Sequence, residues 1–166
     1  MLVRSLLFAC FLFLLGNFGV IAQQKHDYTG AKKCKVCHNK PNTGAQYAQW
    51  EKTPHAKAFE RLKGAERTNP KCTKCHATAA VAKAGSLGGL TMEEGVSCET
   101  CHGPGADYSP IAIMKSREKS IANGLIIPDE KLCKTCHNAE SPHYKGFDYK
   151  AYLAKVAHPN PAAPKK

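Results

Sequence analysis

The stretch Cys98-Glu99-Thr100-Cys101-His102 decides how this chain folds. Three further segments repeat its pattern: Cys34-Lys35-Val36-Cys37-His38, Cys72-Thr73-Lys74-Cys75-His76 and Cys133-Lys134-Thr135-Cys136-His137. In a C-x-x-C-H segment two thiols lie about one helical turn apart, close enough to add to the two vinyl groups along one edge of a porphyrin. The histidine that follows then sits beneath the ring and offers a proximal nitrogen to iron. One copy alone would also suit a redox dithiol or half of a zinc site. Four copies, each followed at once by histidine, point to four covalently attached haems of the c type.

Composition agrees with that reading. The 166 residues include nine cysteines, and eight of them belong to the four motifs, leaving Cys10. No cysteine of the exported chain is left for a disulfide, which is the default use of cysteine in a secreted protein. The formal charge of +11 would by itself suggest nucleic acid or an anionic membrane. That inference fails once the cofactors are counted. Each haem carries two propionates, about −1 overall when ferric and about −2 when ferrous. Four haems, with Arg4 removed, leave roughly +6 oxidised and +2 reduced. The lysines balance propionates locally and leave a mildly basic face for an acidic redox partner, with no nucleic acid expected.

Residues 1–22 read as a secretory signal peptide. Arg4 supplies the positive start, the 17 residues from Leu6 to Ala22 supply the apolar run, and Val20-Ile21-Ala22 supplies the cleavage site. A run of that length is at the short edge for a retained membrane anchor, which is the competing reading. Lipidation at Cys10 fits less well, because bulky Phe8 stands where a small residue is wanted. Export to the periplasm or beyond suits the cofactors, since thioether attachment in bacteria takes place outside the cytoplasmic membrane. No stable membrane insertion is expected after cleavage.

Residues 23–166 form one tetrahaem domain in this reading, and their 144 residues leave 36 for each haem. That is too few for a conventional apolar core around every cofactor, so the haems must supply much of the interior. The fold expected is mainly α with long loops, a small single-domain multihaem cytochrome c. No strand-like alternation is present. Three helices are predicted beyond the motifs: 44–52, with Tyr47 and Trp50 on one face; 55–63, capped by Thr53-Pro54 and stopped by Gly64; and 149–157, capped by Asp148 and stopped by Pro159. Residues 77–90 read as a loop and 158–166 as a frayed tail. Gly103-Pro104-Gly105 reads either as a turn or as backbone passing close to a porphyrin. The gaps between motifs are 33, 21 and 30 residues, so the repetition is irregular and no tandem array is implied.

The remaining histidines decide the chemistry. His38, His76, His102 and His137 are the proximal ligands, leaving His26, His55, His143 and His158. A second imidazole on the far face gives a six-coordinate iron suited to electron transfer, whereas a vacant sixth position binds small ligands. His55 is the strongest distal candidate, with Trp50 and Phe59 behind it and Ala56 and Ala58 allowing close approach. His158 follows an amphipathic helix. His26 precedes the first motif and can fold over a neighbouring haem. His143 lies only six residues beyond His137, which makes it a weak candidate and one for a different haem. Met92 and Met114 read as packing residues rather than thioether ligands.

The order of these segments resembles the tetrahaem cytochrome c-554 family. The resemblance is carried by Tyr28-Thr29-Gly30-Ala31-Lys32-Lys33-Cys34, by Trp50-Glu51-Lys52-Thr53-Pro54-His55-Ala56-Lys57-Ala58, by Gly95-Val96-Ser97-Cys98 through Cys101-His102-Gly103-Pro104-Gly105, and by 133–137. That family includes periplasmic proteins that take electrons from hydroxylamine oxidoreductase. The resemblance implies His55 as distal ligand of the fourth-motif haem, His158 of the third-motif haem, and no protein ligand opposite His76. In the family the distal histidine of the first haem follows the Gly-Pro-Gly segment. Here Ala112 lies near that place, so His26 or His143 must substitute or the first haem is open as well.

The function these residues support first is an exported electron carrier between redox partner proteins, working through closely packed haems. Two alternatives stand beside it. One is a redox enzyme acting on a nitrogen oxide or similar small ligand at a five-coordinate haem. The other is a subunit of an extracellular cytochrome filament, with a histidine lent across the interface.

Overall fold

A computed structural model describes residues 26–83, 85–158 and 160–161. The expected signal peptide and most of the tail lie outside the described residues. Eight short α-helices follow one another: α1 Ala31–His38, α2 Gln46–Trp50, α3 Pro70–His76, α4 Cys98–His102, α5 Ile111–Met114, α6 Arg117–Ala122, α7 Glu130–Lys134 and α8 Tyr149–Val156. Single 3-10 turns fill the intervals at Pro41–Thr43, Phe59–Arg61, Gly64–Arg67, Thr78–Ala80 and Met92–Glu94. No strand occurs among the described residues, and the chain is mainly helical with long loops, as its sequence implies.

Helices of four to eight residues do not persist alone in water, so caps and tertiary ties must hold them. Four are capped locally. Asn69 accepts from the Lys71 N–H at 3.0 Å with Pro70 opening the helix, Ser116 from Lys119 at 3.2 Å, Asp129 from Leu132 at 2.8 Å and Asp148 from Ala151 at 3.0 Å. The start of α1 has no cap of its own, because Gly30 lacks a side chain. Carboxylates from elsewhere replace it: Glu99 accepts from the Gly30 N–H and Glu94 from the Ala31 N–H, each at 2.9 Å. The negative charge also suits the positive end of a helix.

The apolar core is small. Phe59, Leu62 and Ala77 form its buried centre, with Cys72 and Met92 packed against it. Among the buried residues, Thr73, Thr78, Ser86, Ser97, Glu99 and Ser120 nearly match the apolar ones in number. The interior of the polypeptide is therefore a set of hydrogen-bonded junctions. In the first, Thr78 Oγ1 accepts from the Ser97 N–H at 2.8 Å, donates to the Gly95 carbonyl at 3.1 Å and meets Thr100 Oγ1 at 2.6 Å. This joins the end of α3 to the start of α4. In the second, Glu99 Oε1 also accepts from Thr29 at 2.9 Å and from Gly105 at 2.6 Å, joining α4 to the approach of α1.

The expected helix over 55–63 does not form. Thr53 does accept the Ala56 N–H at 3.5 Å, but the turn goes no further. The His55 carbonyl is taken at i+3 by the Ala58 N–H (3.1 Å) and from across the chain by the Val96 N–H (2.9 Å). Gly95, at φ +62°, brings this backbone so near that a Cβ there would lie 2.6 Å from the His55 oxygen. Long-range pairing wins over helical propagation, and only the 3-10 turn Phe59–Arg61 remains. The helix predicted over 44–52 survives only as α2, and that over 149–157 as α8. Within 77–90 the loop holds one 3-10 turn. Gly103, at φ +78°, packs its backbone on another backbone, with a Cβ there falling 2.5 Å from the Gly124 oxygen.

The Thr78 junction predicts a cost. Thr78→Val keeps the shape of a side chain only 3% exposed but strands the Ser97 N–H and the Thr100 hydroxyl, while the Gly95 carbonyl keeps the residue-78 peptide N–H, and should destabilise the haem-loaded protein by about 2–3 kcal/mol. A guanidinium unfolding curve with an unchanged midpoint would show that the junction contributes nothing.

Candidate haem centres

All four motifs lie on or at the end of short helices: the first on α1, the second on α3, the third as the whole of α4, the fourth across α7 and the turn after it. Helical spacing turns the two thiols of each motif to one side, and the seven motif cysteines other than Cys37 are partly buried. Three of the motif imidazoles are oriented through Nδ1. His76 Nδ1 lies 2.8 Å from the Ala58 carbonyl, His38 Nδ1 3.3 Å from Gln46 Oε1, and His102 Nδ1 3.4 Å from the Ile126 carbonyl. A hydrogen bond at Nδ1 fixes the tautomer and leaves Nε2 with its lone pair free for a metal. His137 is set differently: its ring stacks on Phe147 at 4.7 Å and 14°, with Tyr152 beyond.

Two pairs of histidine rings face one another. His55 and His137 have ring centres 5.9 Å apart with planes 54° apart, and His102 and His158 have centres 5.9 Å apart with planes 45° apart. Two imidazoles bonded to one metal from opposite sides, each at about 2 Å, bring their centres to roughly 6 Å. Burial holds all four rings below the ordinary histidine pKa, and the neighbouring ring adds to this for His55 and His102. Neutral imidazoles with free lone pairs are what axial ligation of iron requires, so these residues fit the group that the motifs imply. By contrast, no three His, Cys, Asp or Glu side chains among the described residues converge as a zinc site would need.

The other two proximal residues have no such partner. No histidine ring stands opposite His38 or His76 at that spacing among the described residues. His26 is held elsewhere: its Nδ1 meets Asp107 Oδ2 at 2.6 Å, and its ring lies over Gly124, where a Cβ would fall 2.7 Å from the ring. A carboxylate behind a histidine is also common behind metal-bound imidazoles. His143 lines a cavity of about 310 Å³ together with Cys136, His137, Tyr144 and Tyr152, so it stands beside the fourth motif.

The thiols show which motifs adjoin, something sequence spacing did not reveal. Cys34 and Cys98 adjoin where α1 meets α4, and this proximity holds the Cys34 thiol below its ordinary pKa and, with burial, the Cys98 thiol well above it. Burial and the nearby Cys136 push Cys75 up to about 11. Burial, with Cys133 and Cys136 nearby, does the same to Cys101. The first motif thus abuts the third, the second abuts the fourth, and Cys101 turns toward the fourth. Glu99 and Thr78, which fix the first of these contacts and the placement of α4, were also missed. The available signal was an acid inside a C-x-x-C-H motif that is followed by Gly-Pro-Gly.

Comparison with known proteins agrees with these centres. The sequence profile of the family described as cytochrome c554 and c-prime matches residues 33–103. Cytochrome c-554 of Nitrosomonas europaea is 33% identical over 153 aligned residues, which cover 72% of this chain and 61% of that protein. The chain therefore spans about three fifths of the curated relative that it matches. No solved structure matches it. With attachment motifs on short helices, imidazoles facing at ligand spacing, and this relationship, the chain belongs to the cytochrome c-554 family, as a c-type cytochrome with covalently bound haem.

Proposed function

We propose that this chain carries four haems, one on each motif, and passes electrons between redox partner proteins outside the cytoplasmic membrane. Haem supplies the ferric/ferrous couple, while the polypeptide attaches it, presents the axial nitrogens and sets its surroundings. The observation that carries this reading is the pair of facing imidazole sets at 5.9 Å, which suits six-coordinate irons that exchange electrons without binding substrate. In this assignment His55 and His137 share the fourth-motif iron, and His102 and His158 the third. The contacts Cys34–Cys98 and Cys75–Cys136 support a relay in which haem edges adjoin in two pairs. Export is supported by the character of residues 1–22. Among the described residues no helix is long and apolar enough to cross a membrane.

One observation favours a second reading. His76 is anchored through Nδ1 on Ala58, and no imidazole faces it among the described residues. An iron held there has a free sixth position, which would suit a nitrogen oxide or a similar small ligand. His38 stands in the same situation unless His26 reaches its iron.

Two experiments test these assignments. His55→Ala and His158→Ala should each convert one low-spin ferric iron to high spin in the electron paramagnetic resonance spectrum, with the haem count by mass staying at four. An unaltered low-spin signal in either variant removes that histidine from the ligand set. In the oxidised wild-type protein a high-spin signal should be present and should shift on adding cyanide or nitric oxide. A wholly low-spin spectrum would close every iron and end the ligand-binding reading.

A further inference from the structure

The third motif contains a charge that the relay as described does not use. Glu99 is 2% exposed and is the bulkiest of the fully buried side chains. Its carboxylate accepts from the N–H groups of Thr29 (2.9 Å), Gly30 (2.9 Å) and Gly105 (2.6 Å), and from the Thr29 hydroxyl at 3.5 Å. Every one of these partners is a neutral donor, and none of the ion pairs among the described residues includes Glu99. A carboxylate is thus held as an acceptor with no cation to offset it.

Its position ties it to two attachments at once. Glu99 lies between Cys98 and Cys101, while Thr29 and Gly30 lead straight into α1 with Cys34 and Cys37. The negative charge of Glu99 also opposes ionisation of Tyr28, beside the approach to α1, and of Tyr108, beyond the third motif, where burial acts first. Charges act over longer range where water is excluded, and oxidation leaves the iron one unit more positive. An uncompensated buried anion therefore favours the ferric over the ferrous state.

We propose that Glu99 is a positioning residue that also sets potential: its buried carboxylate joins the first and third motifs and lowers the midpoint potentials of the haems they hold. The inference rests on the four-haem reading above, and the two fail separately.

The test uses the full chain with its haems, as Glu99→Gln, which removes the charge at constant length, and Glu99→Asp, which keeps the charge and shortens the reach. Haem content is counted by mass, and midpoints are read by spectroelectrochemical titration. In E99Q two of the four midpoints should rise by about 59 mV, a tenfold change in the ferric/ferrous ratio for a one-electron couple, while the others move less. E99D should stay near the wild type. Unmoved midpoints in E99Q overturn the inference, and so do equal shifts in E99Q and E99D, which would mark a packing effect. If E99Q does not load haem, redox-difference infrared spectra of wild-type protein with isotopically labelled glutamate carboxylates decide. A labelled glutamate band must shift on reduction in the wild type and be lost in E99D, and its absence from the wild-type spectra overturns the inference. A wild-type count other than four haems strikes the four-haem reading instead.

Discussion

A carboxylate withdrawn from water must be met by donors, or the fold that buries it does not form. Glu99 imposes that demand on the centre of this protein. Three peptide N–H groups from two separate stretches, Thr29-Gly30 and Gly105, turn toward it. Both stretches are rich in glycine, and that is no accident of composition. At Gly105 a Cβ would lie 3.0 Å from the Glu99 oxygen, so the peptide N–H comes close only because no side chain intervenes. The five residues of α4 are then tied forward to the Gly-Pro-Gly segment and back to the start of α1. Through Thr100 and Ser97 they are tied to Thr78 and the end of α3. A helix that short owes its existence to these ties rather than to propensity.

This arrangement follows from how little apolar side chain the chain has to spend. A domain of this size ordinarily closes on aliphatic and aromatic residues, yet here Phe59, Leu62 and Ala77 make up the buried apolar centre. The polypeptide therefore uses hydrogen-bonded junctions where the chain crosses itself and leaves the rest of the interior to its cofactors. Polar junctions are directional, so they fix where each motif points more tightly than greasy contacts would. Precise orientation is what the proposed relay would need from a scaffold that leaves the redox chemistry to its haems.

The division between what was legible in the sequence and what was not has the same origin. The motifs and the absence of strands among the described residues follow from local spacing, as does the cap at Asp148. The placement of His55 near the fourth motif came through resemblance, not periodicity, since 82 positions separate it from His137. The helix expected over 55–63 failed because a local cap competes with a distant donor, Val96, that local pattern cannot anticipate. The Cys34–Cys98 contact was hidden for the same reason. His26 shows the limit most plainly: its neighbourhood in sequence suggests a ligand, while its partners in space, Asp107 and Gly124, lie more than 80 positions away.

The two facing histidine pairs differ in how they are built, and that difference bears on their rigidity. His102 is fixed from behind by the Ile126 carbonyl, whose own N–H returns to the His102 carbonyl at 2.9 Å, so the ring is locked within one reciprocal backbone pair. His137 has no such anchor and depends on stacking against Phe147, which in turn packs on Tyr152 of α8. Stacking constrains tilt but allows slide, whereas a hydrogen bond at Nδ1 also fixes the tautomer. On the distal side the order is reversed: the His55 backbone is pinned by Val96 and crowded by Gly95, while His158 sits just beyond the end of α8. Each pair thus combines one firmly held imidazole with one that can adjust, which would let a metal, bound as proposed, settle between them without straining both backbones at once.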